Sequence, residues 1–294
     1  MNVLSILDLS KKDIEEILDL AMEMKRGNEK RKFLNDKNVA MIFEKQSTRT
    51  RVSFEVAMRQ LGGYAIYLNK NDLQLGRGES IQDTAKVLSR YVDGIIVRTF
   101  EHETVEEMAK YSSVPVINAL TNLEHPCQSL ADLFTIKEFK GDLKGLKLVW
   151  IGDVNNVCNS LILISSLFGI NISIGSPRDY GPSRYILDKL DGHIKYYNDP
   201  YKAAEDADII YTDVWVSMGN EDEKDKREID FKEFQVNQKL LSHAKKDAIV
   251  MHCLPAIRGK EITSDVMDGK NSVIFDQAEN RLHTQKALLA KVIR

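Results

Sequence analysis

The stretch FEKQSTRTRVSF, residues 43–54, brings Ser47, Thr48, Arg49 and Thr50 together directly after an apolar run and at the start of a helical pattern. Hydroxyls at a helix start ordinarily cap it. With Arg49 among them, however, hydroxyl, amide and guanidinium donors converge on one point, a combination suited to a phosphate. The position agrees with that chemistry. In open α/β sheets, ligands bind outside the carboxyl ends of strands, where helix N-termini offer free N–H groups to anions. Arg98 closes another apolar run, DGIIV, where it serves either an anion or a structural ion pair. HPCQ, residues 125–128, follows a further strand pattern and supplies His125 and Gln128, both able to hydrogen-bond a carbonyl or an amide. A substrate bearing a phosphate and a carbonyl or amide group is expected.

The second half offers a different set. IGDVNNVCNS, residues 151–160, looks like the first βα turn of a dinucleotide fold but lacks the GxGxxG glycines, which argues against a nicotinamide cofactor. Asn156, with Asp213 and Ser217 in TDVWVSMG (residues 212–219), presents an amide, a carboxylate and a hydroxyl at strand ends. Those groups suit the ammonium and carboxylate of an amino acid. Cys253 ends the run DAIVMHCL; a nucleophilic role would need a base and thiolate-favouring surroundings, and a strand-end cysteine more often packs. The charge run NEDEKDKRE, residues 220–228, is expected to be a solvated loop.

Apolar, β-branched runs alternate with helical patterns along almost the whole chain, the signature of an α/β protein with parallel sheets covered by helices. Strands are expected at residues 38–43, 64–68, 93–99 and 114–120, and then at 147–153, 171–176, 207–214, 247–254 and 272–276. Two comparable halves emerge, with an amphipathic helix over QSLADLFTIKEFK between them and a boundary near residues 135–145. At 294 residues, 43% of them apolar, the chain can supply two cores. Its 29% charged residues nearly cancel to a net charge of −3, which favours neither nucleic acid nor an anionic membrane surface. The three cysteines, Cys127, Cys158 and Cys253, are scattered and lack metal-ligand spacing, which fits a reducing cytoplasm and argues against structural zinc. The first 25 residues have an acid-interrupted helical pattern and no signal peptide is expected; no stretch is long enough to span a bilayer.

FEKQSTRTR, HPCQ, GDVNN, DVWVSMG, HCLP and AENRLH occur in the order found in the aspartate/ornithine carbamoyltransferase family, and the set resembles its ornithine-specific members from about residue 38 to residue 290. DVWVSMG, Lys45 and the loop DLQLGRGES (residues 72–80) are similar to the ornithine enzymes rather than to those acting on aspartate. The resemblance implies two domains, each a parallel β-sheet flanked by helices, with the active site in the interdomain cleft. Residues 1–135, joined by the C-terminal helix 278–294, would bind carbamoyl phosphate, and residues 136–277 would bind L-ornithine.

It further implies that Ser47, Thr48, Arg49 and Thr50 hold the phosphate, that Arg98, His125 and Gln128 contact the carbonyl and amide, and that Gln74 reaches a neighbouring subunit's site. Asn156, Asp213, Ser217 and Met218 resemble the ornithine site; Cys253 and Leu254 resemble the pair between the substrates, and Arg281 an arginine returning from the last helix. Arg98, His125, Asp213 and Cys253 would carry the catalysis, without metal or organic cofactor. The implied product is citrulline, in arginine biosynthesis, from a cytoplasmic homotrimer or an assembly of trimers. One departure from the family pattern is Ile257 before Arg258 and Gly259, where a histidine is frequent. The competing readings are a carbamoyltransferase for putrescine, N-acetylornithine or aspartate, and a binding module that holds an anion and an amino acid without turnover.

Overall fold

The computed structural model describes residues 1–74, 78–190, 194–217 and 219–293. The chain divides into two compact units, Met1–Ala131 with Glu279–Arg294, and Asp132–Ala278. In the first, strands β1 (Asn38–Phe43), β2 (Tyr64–Asn69), β3 (Gly94–Arg98) and β4 (Val116–Leu120) form one parallel sheet in the order β2-β1-β3-β4. Helices α1 (Lys11–Lys25), α2 (Thr48–Gln60), α3 (Ile81–Leu88) and α4 (His102–Tyr111) belong to the same unit. Ser10, Ser47 and Ser80 stand immediately before α1, α2 and α3 and accept from the third backbone N–H beyond them, which sets where each helix begins. β3 and β4 are buried throughout, as expected of parallel strands covered on both faces. Ile42, Ile95 and Val97 pack with Ala85, Val105 and Met108 to form one core of this unit.

The order of that sheet decides where a ligand can sit. The chain leaves β1 for β2 on one side and returns to β3 on the other, so the connections after β1 and β3 diverge and open a crevice at their carboxyl ends. Phe43 lies opposite Arg98 at that point.

The second unit repeats the plan. Strands β5 (Lys147–Ile151), β6 (Asn171–Gly175), β7 (Ile194–Tyr197), β8 (Ile209–Thr212) and β9 (Ile249–His252) are all parallel in the order β7-β6-β5-β8-β9. Its switch point lies between β5 and β8, where Ile151 faces Thr212, and Thr212 in turn faces His252 of β9. Helix α5 (Pro126–Lys140) runs across the division at Ala131, and α6 (Asn156–Phe168) follows β5. Four short helices come next, α7 (Arg184–Leu187), α8 (Pro200–Ala204), α9 (Lys224–Asp230) and α10 (Gln238–Leu241). They are followed by α11 (Ser264–Met267) and the long α12 (Ile274–Val292). Val149, Ile151, Ile210 and Val250 from the sheet pack with Trp215, Phe231 and Ile274. Gly152, which leads from β5 toward α6, has φ +128°, a conformation that side-chain-bearing residues rarely adopt.

Three expectations need correction. SVIFD is not a strand: only Ser272 bridges to Val250, and α12 begins at Ile274, with Val273, Ile274 and Gln277 buried while Phe275 is exposed. An apolar run as short as VIF cannot be distinguished from a buried helix turn by pattern alone. β7, IKYY, was not expected, because it is a half-exposed edge strand of the second sheet with a lysine in it. The run at residues 220–228 is not simply a solvated loop, since it forms α9 and buries Arg227.

Candidate active site

The chain after β1 turns at Glu44 and enters α2 through Ser47, whose hydroxyl accepts from the Thr50 N–H at 3.2 Å. Against its burial, the Lys70 ammonium and the Thr99 hydroxyl hold the Glu44 carboxyl below the usual carboxylate range. Glu44 thereby ties the end of β1 to the residues following β2 and β3. Lys45 is buried, its ammonium donating to Asn122 Oδ1 and lying 4.2 Å from the Phe100 ring centroid. These contacts fix the start of α2 beside the end of β3, where its free N–H groups can meet an anion.

Around that point lie buried polar side chains. Arg281, from α12, donates through Nη1 to Gln128 Oε1 at 2.6 Å and through Nη2 to Thr50 Oγ1 at 3.2 Å. Arg98 and His125 are buried as well. Burial, then the Arg281 and Arg98 guanidinium groups, push the His125 imidazole well below its ordinary value, so it is held neutral. Burial raises the Cys127 thiol to about 12, which leaves that cysteine inert. The result is two guanidinium groups, a neutral imidazole, an amide and a capped helix start gathered at one switch point. That chemistry suits a phosphate attached to a carbonyl.

In the second unit Asp213, just past β8, is buried and accepts from the Asn155 Nδ2 at 2.7 Å and from the Val214 N–H at 2.8 Å. Ligand atoms of Asp213, His252 and Cys253 lie within 4.8 Å of one another. Metal binding is poorly served by this trio. His252 Nδ1 already accepts from the Leu254 N–H at 2.8 Å, so its proton sits on Nε2, facing Glu261 Oε1 at 3.2 Å. Instead, His252 and Glu261 hold the HCLP turn, in which Leu254 has φ +61°. Such a conformation costs about 1 kcal/mol for a residue other than glycine and persists only where neighbours fix it.

Arg227 fastens the segment that follows Asp213. Its guanidinium donates to Asp153 at 2.8 Å, to Glu223 at 2.8 Å and to the Trp215 carbonyl at 3.1 Å, and lies 5.0 Å from the Tyr180 ring centroid. Burial raises Asp153 above the usual carboxylate value even with that guanidinium beside it.

Among the residues singled out in the sequence, Ser47, Thr50, Arg98, His125, Gln128 and Arg281 lie in the first unit, and hydrogen bonds or charge interactions connect all six. Thr48 is exposed and Arg49 half-buried at the same helix start. Gln74 is exposed. Asn156, Asp213, Ser217, Cys253 and Leu254 lie in the second unit, Asp213 beside Cys253, while Asn156, at the start of α6, and Ser217, in the connection after β8, are half-buried. Met218 lies outside the described residues. Sequence reasoning missed Asn155, His252, Arg227 and Glu261. The first two are adjacent to residues it chose, and Arg227 could have been suspected as the cation that a buried Asp153 requires.

Residues 1–138 match the carbamoyl-P binding domain, and residues 144–292 the Asp/Orn binding domain, of aspartate/ornithine carbamoyltransferase. The chain belongs to the aspartate/ornithine carbamoyltransferase family. It is 56% identical to an ornithine carbamoyltransferase of Methanosarcina acetivorans, over 100% of this chain and 99% of that one. The corresponding protein of Archaeoglobus fulgidus is 54% identical, with 99% and 97% covered. Among solved structures, ornithine carbamoyltransferase from Pyrococcus furiosus is similar with a TM-score of 0.95 at 50% identity, covering 99% of this chain and 96% of that one. Both switch points therefore fall in family domains described by the two ligand types that their chemistry suggests.

Proposed function

We infer that the chain is an ornithine carbamoyltransferase, which moves the carbamoyl group of carbamoyl phosphate to the side-chain amine of L-ornithine and releases L-citrulline and phosphate. The carrying observation is full-length identity of 56% to an ornithine carbamoyltransferase, joined to a buried cationic cradle in the matching carbamoyl-P domain. On this reading residues 1–135, with residues 278–294, bind carbamoyl phosphate, and residues 136–277 bind ornithine.

Ser47, Thr48, Arg49 and Thr50 hold the phosphate at the α2 N-terminus, and Arg281 locks Thr50 and Gln128 in place. Arg98, His125 and Thr50 donate to the carbonyl oxygen as it gains negative charge, and each such donor contributes about 3 kcal/mol to transition-state stabilisation. A neutral imidazole is the useful form of His125 here, since it donates without adding a third cation beside two arginines. Gln128 takes the carbamoyl amide. Asn156, Ser217 and Met218 hold ornithine, while Asp213 and Cys253 orient its side-chain amine, with Leu254 beside them. That amine, with an unperturbed pKa of about 10.4, must lose a proton before it attacks. Its lone pair forms the new C–N bond as the bond from the carbonyl carbon to the phosphate oxygen breaks. The departing phosphate, stabilised by Arg49, accepts the proton the nitrogen sheds.

Arginine synthesis is the metabolic setting we assign. A homotrimer, or an assembly of trimers, is the form in which Gln74 would serve a neighbouring copy. β2 supports association: it is an edge strand with Tyr64 and Ile66 exposed, the kind of edge that proteins cover. Light scattering should return a multiple of three chain masses, and a monomer would refute the assembly.

The test of the activity is a product assay with carbamoyl phosphate and, in turn, ornithine, putrescine, N-acetylornithine and aspartate. Citrulline should form far faster than any other product. Preference for another amine would overturn the second-unit assignment. Arg98→Ala should lower turnover by about a hundredfold or more while the protein stays folded, and near-normal turnover would remove its role.

A further inference from the structure

We propose that Asn155 is a positioning residue that sets the carboxylate of Asp213 for ornithine, an inference that rests on the assignment of Asp213 to that substrate. Two asparagines follow one another in GDVNN, and only the second was singled out from the sequence. The first makes three side-chain hydrogen bonds. Asn155 precedes α6, and its Oδ1 accepts from the Val157 N–H at 3.0 Å and the Cys158 N–H at 3.2 Å. Its Nδ2 donates to Asp213 Oδ2 at 2.7 Å. Backbone N–H groups can only donate, so the amide oxygen must face the helix and the NH2 must face the carboxylate; the orientation of the amide is fixed by chemistry.

One planar group thus links the first turn of α6 to the residue just past β8, across the β5–β8 switch point. Asp213 Oδ1 is meanwhile held by the Val214 N–H at 2.8 Å. Both oxygens are anchored, each by one bond, which fixes the carboxylate plane and leaves lone pairs for a substrate ammonium or amine. No other small residue does both tasks. Serine and aspartate accept from helix N–H groups as well as asparagine does, but serine lacks the reaching NH2 and aspartate would set a second carboxylate against Asp213.

This difference makes the proposal testable in the full-length enzyme with Asn155→Ser, Asn155→Asp and Asn155→Ala, beside Asp213→Asn. Steady-state kinetics with each substrate varied, and thermal midpoints, are the readouts. Asn155→Ser should keep its midpoint near the wild type, Asn155→Asp should lose some of it through repulsion between the two carboxylates, and both should raise KM for ornithine about tenfold and leave KM for carbamoyl phosphate unchanged. Asn155→Ala should add a fall in the midpoint. For Asn155→Asp the ratio of its ornithine KM to the wild-type value should shrink as pH falls. The paired carboxyls then share a proton, which restores a donor toward Asp213. The other titratable groups near Asp213 are Asp153, Cys158, Tyr211, His252 and Cys253, and all are common to both proteins. Wild-type ornithine KM in both capping variants, with Asp213→Asn impaired, would overturn the proposal. So would an ornithine KM that merely tracks the midpoint across the three variants. If Asp213→Asn itself leaves ornithine KM unchanged, the assignment of Asp213 fails, and the proposal falls with it for that separate reason.

Discussion

His125 shows how far a single residue's surroundings decide its chemistry. The sequence places it before a helix, but its neutral state depends on burial and on Arg281, which is distant in the chain and lies on α12. Below about pH 6.5 the unfolded chain takes up a proton that the folded site refuses. The stability contributed by the buried neutral ring is therefore complete above the ordinary imidazole pKa and is lost as pH falls below it, down to the depressed native value. Denaturant titrations at about pH 7 and about pH 5 should show a smaller loss for His125→Gln than for the wild type. An equal loss in both would place the responsible titration elsewhere. Legibility at this scale follows the same line. Thr50, Arg98 and Asp213 could be found because each sits at a strand or helix end. Asn155 and His252 were passed over because their bonds run to partners that only the folded chain brings near. Arg281 entered through family resemblance alone, for nothing in the local pattern of AENRLH points to a partner on α2 or α5.

At the scale of elements, the strands were legible because parallel, doubly covered strands are continuous apolar runs; where their ends moved, it was by one or two residues. What failed was local pattern without enough length, as in SVIFD and IKYY, and charge taken as exposure, as at Arg227. Arg227 clasps the connection between β8 and α9 to the turn after β5. Arg227→Met should therefore leave Asp153 buried without its cation and cost about 3 kcal/mol of stability near neutral pH. The sign with pH follows from Asp153, whose carboxyl is already raised by burial and would rise further in the variant. Acidification lets it bind a proton and escape the charged, desolvated state, so the gap between variant and wild type should narrow as pH is lowered. A gap that widens on acidification would contradict the ion pair. Ornithine KM should also rise more than KM for carbamoyl phosphate, since Ser217 lies within the clasped segment.

For the whole molecule, each unit has its own sheet and its own switch point, and each matches its own ligand-binding family domain. Calorimetry on Asp213→Asn should accordingly show carbamoyl phosphate bound as in the wild type and ornithine binding weakened. Loss of carbamoyl phosphate binding would mean that the two units have been given the wrong substrates. Among the described residues no helix is long and apolar enough to cross a membrane. The two-unit plan was visible from the recurrence of strand and helix patterns. That the first unit is discontinuous was not visible in those patterns, and it follows from contacts of α12: Lys286 reaches Gln60, and Lys291 pairs with Asp13 and Glu16. This has a consequence for the newborn chain. On a ribosome, Asp132–Ala278 emerges whole and can close its sheet while Met1–Ala131 still lacks the arginine that joins Thr50 to Gln128. The part of the protein made first is the part completed last.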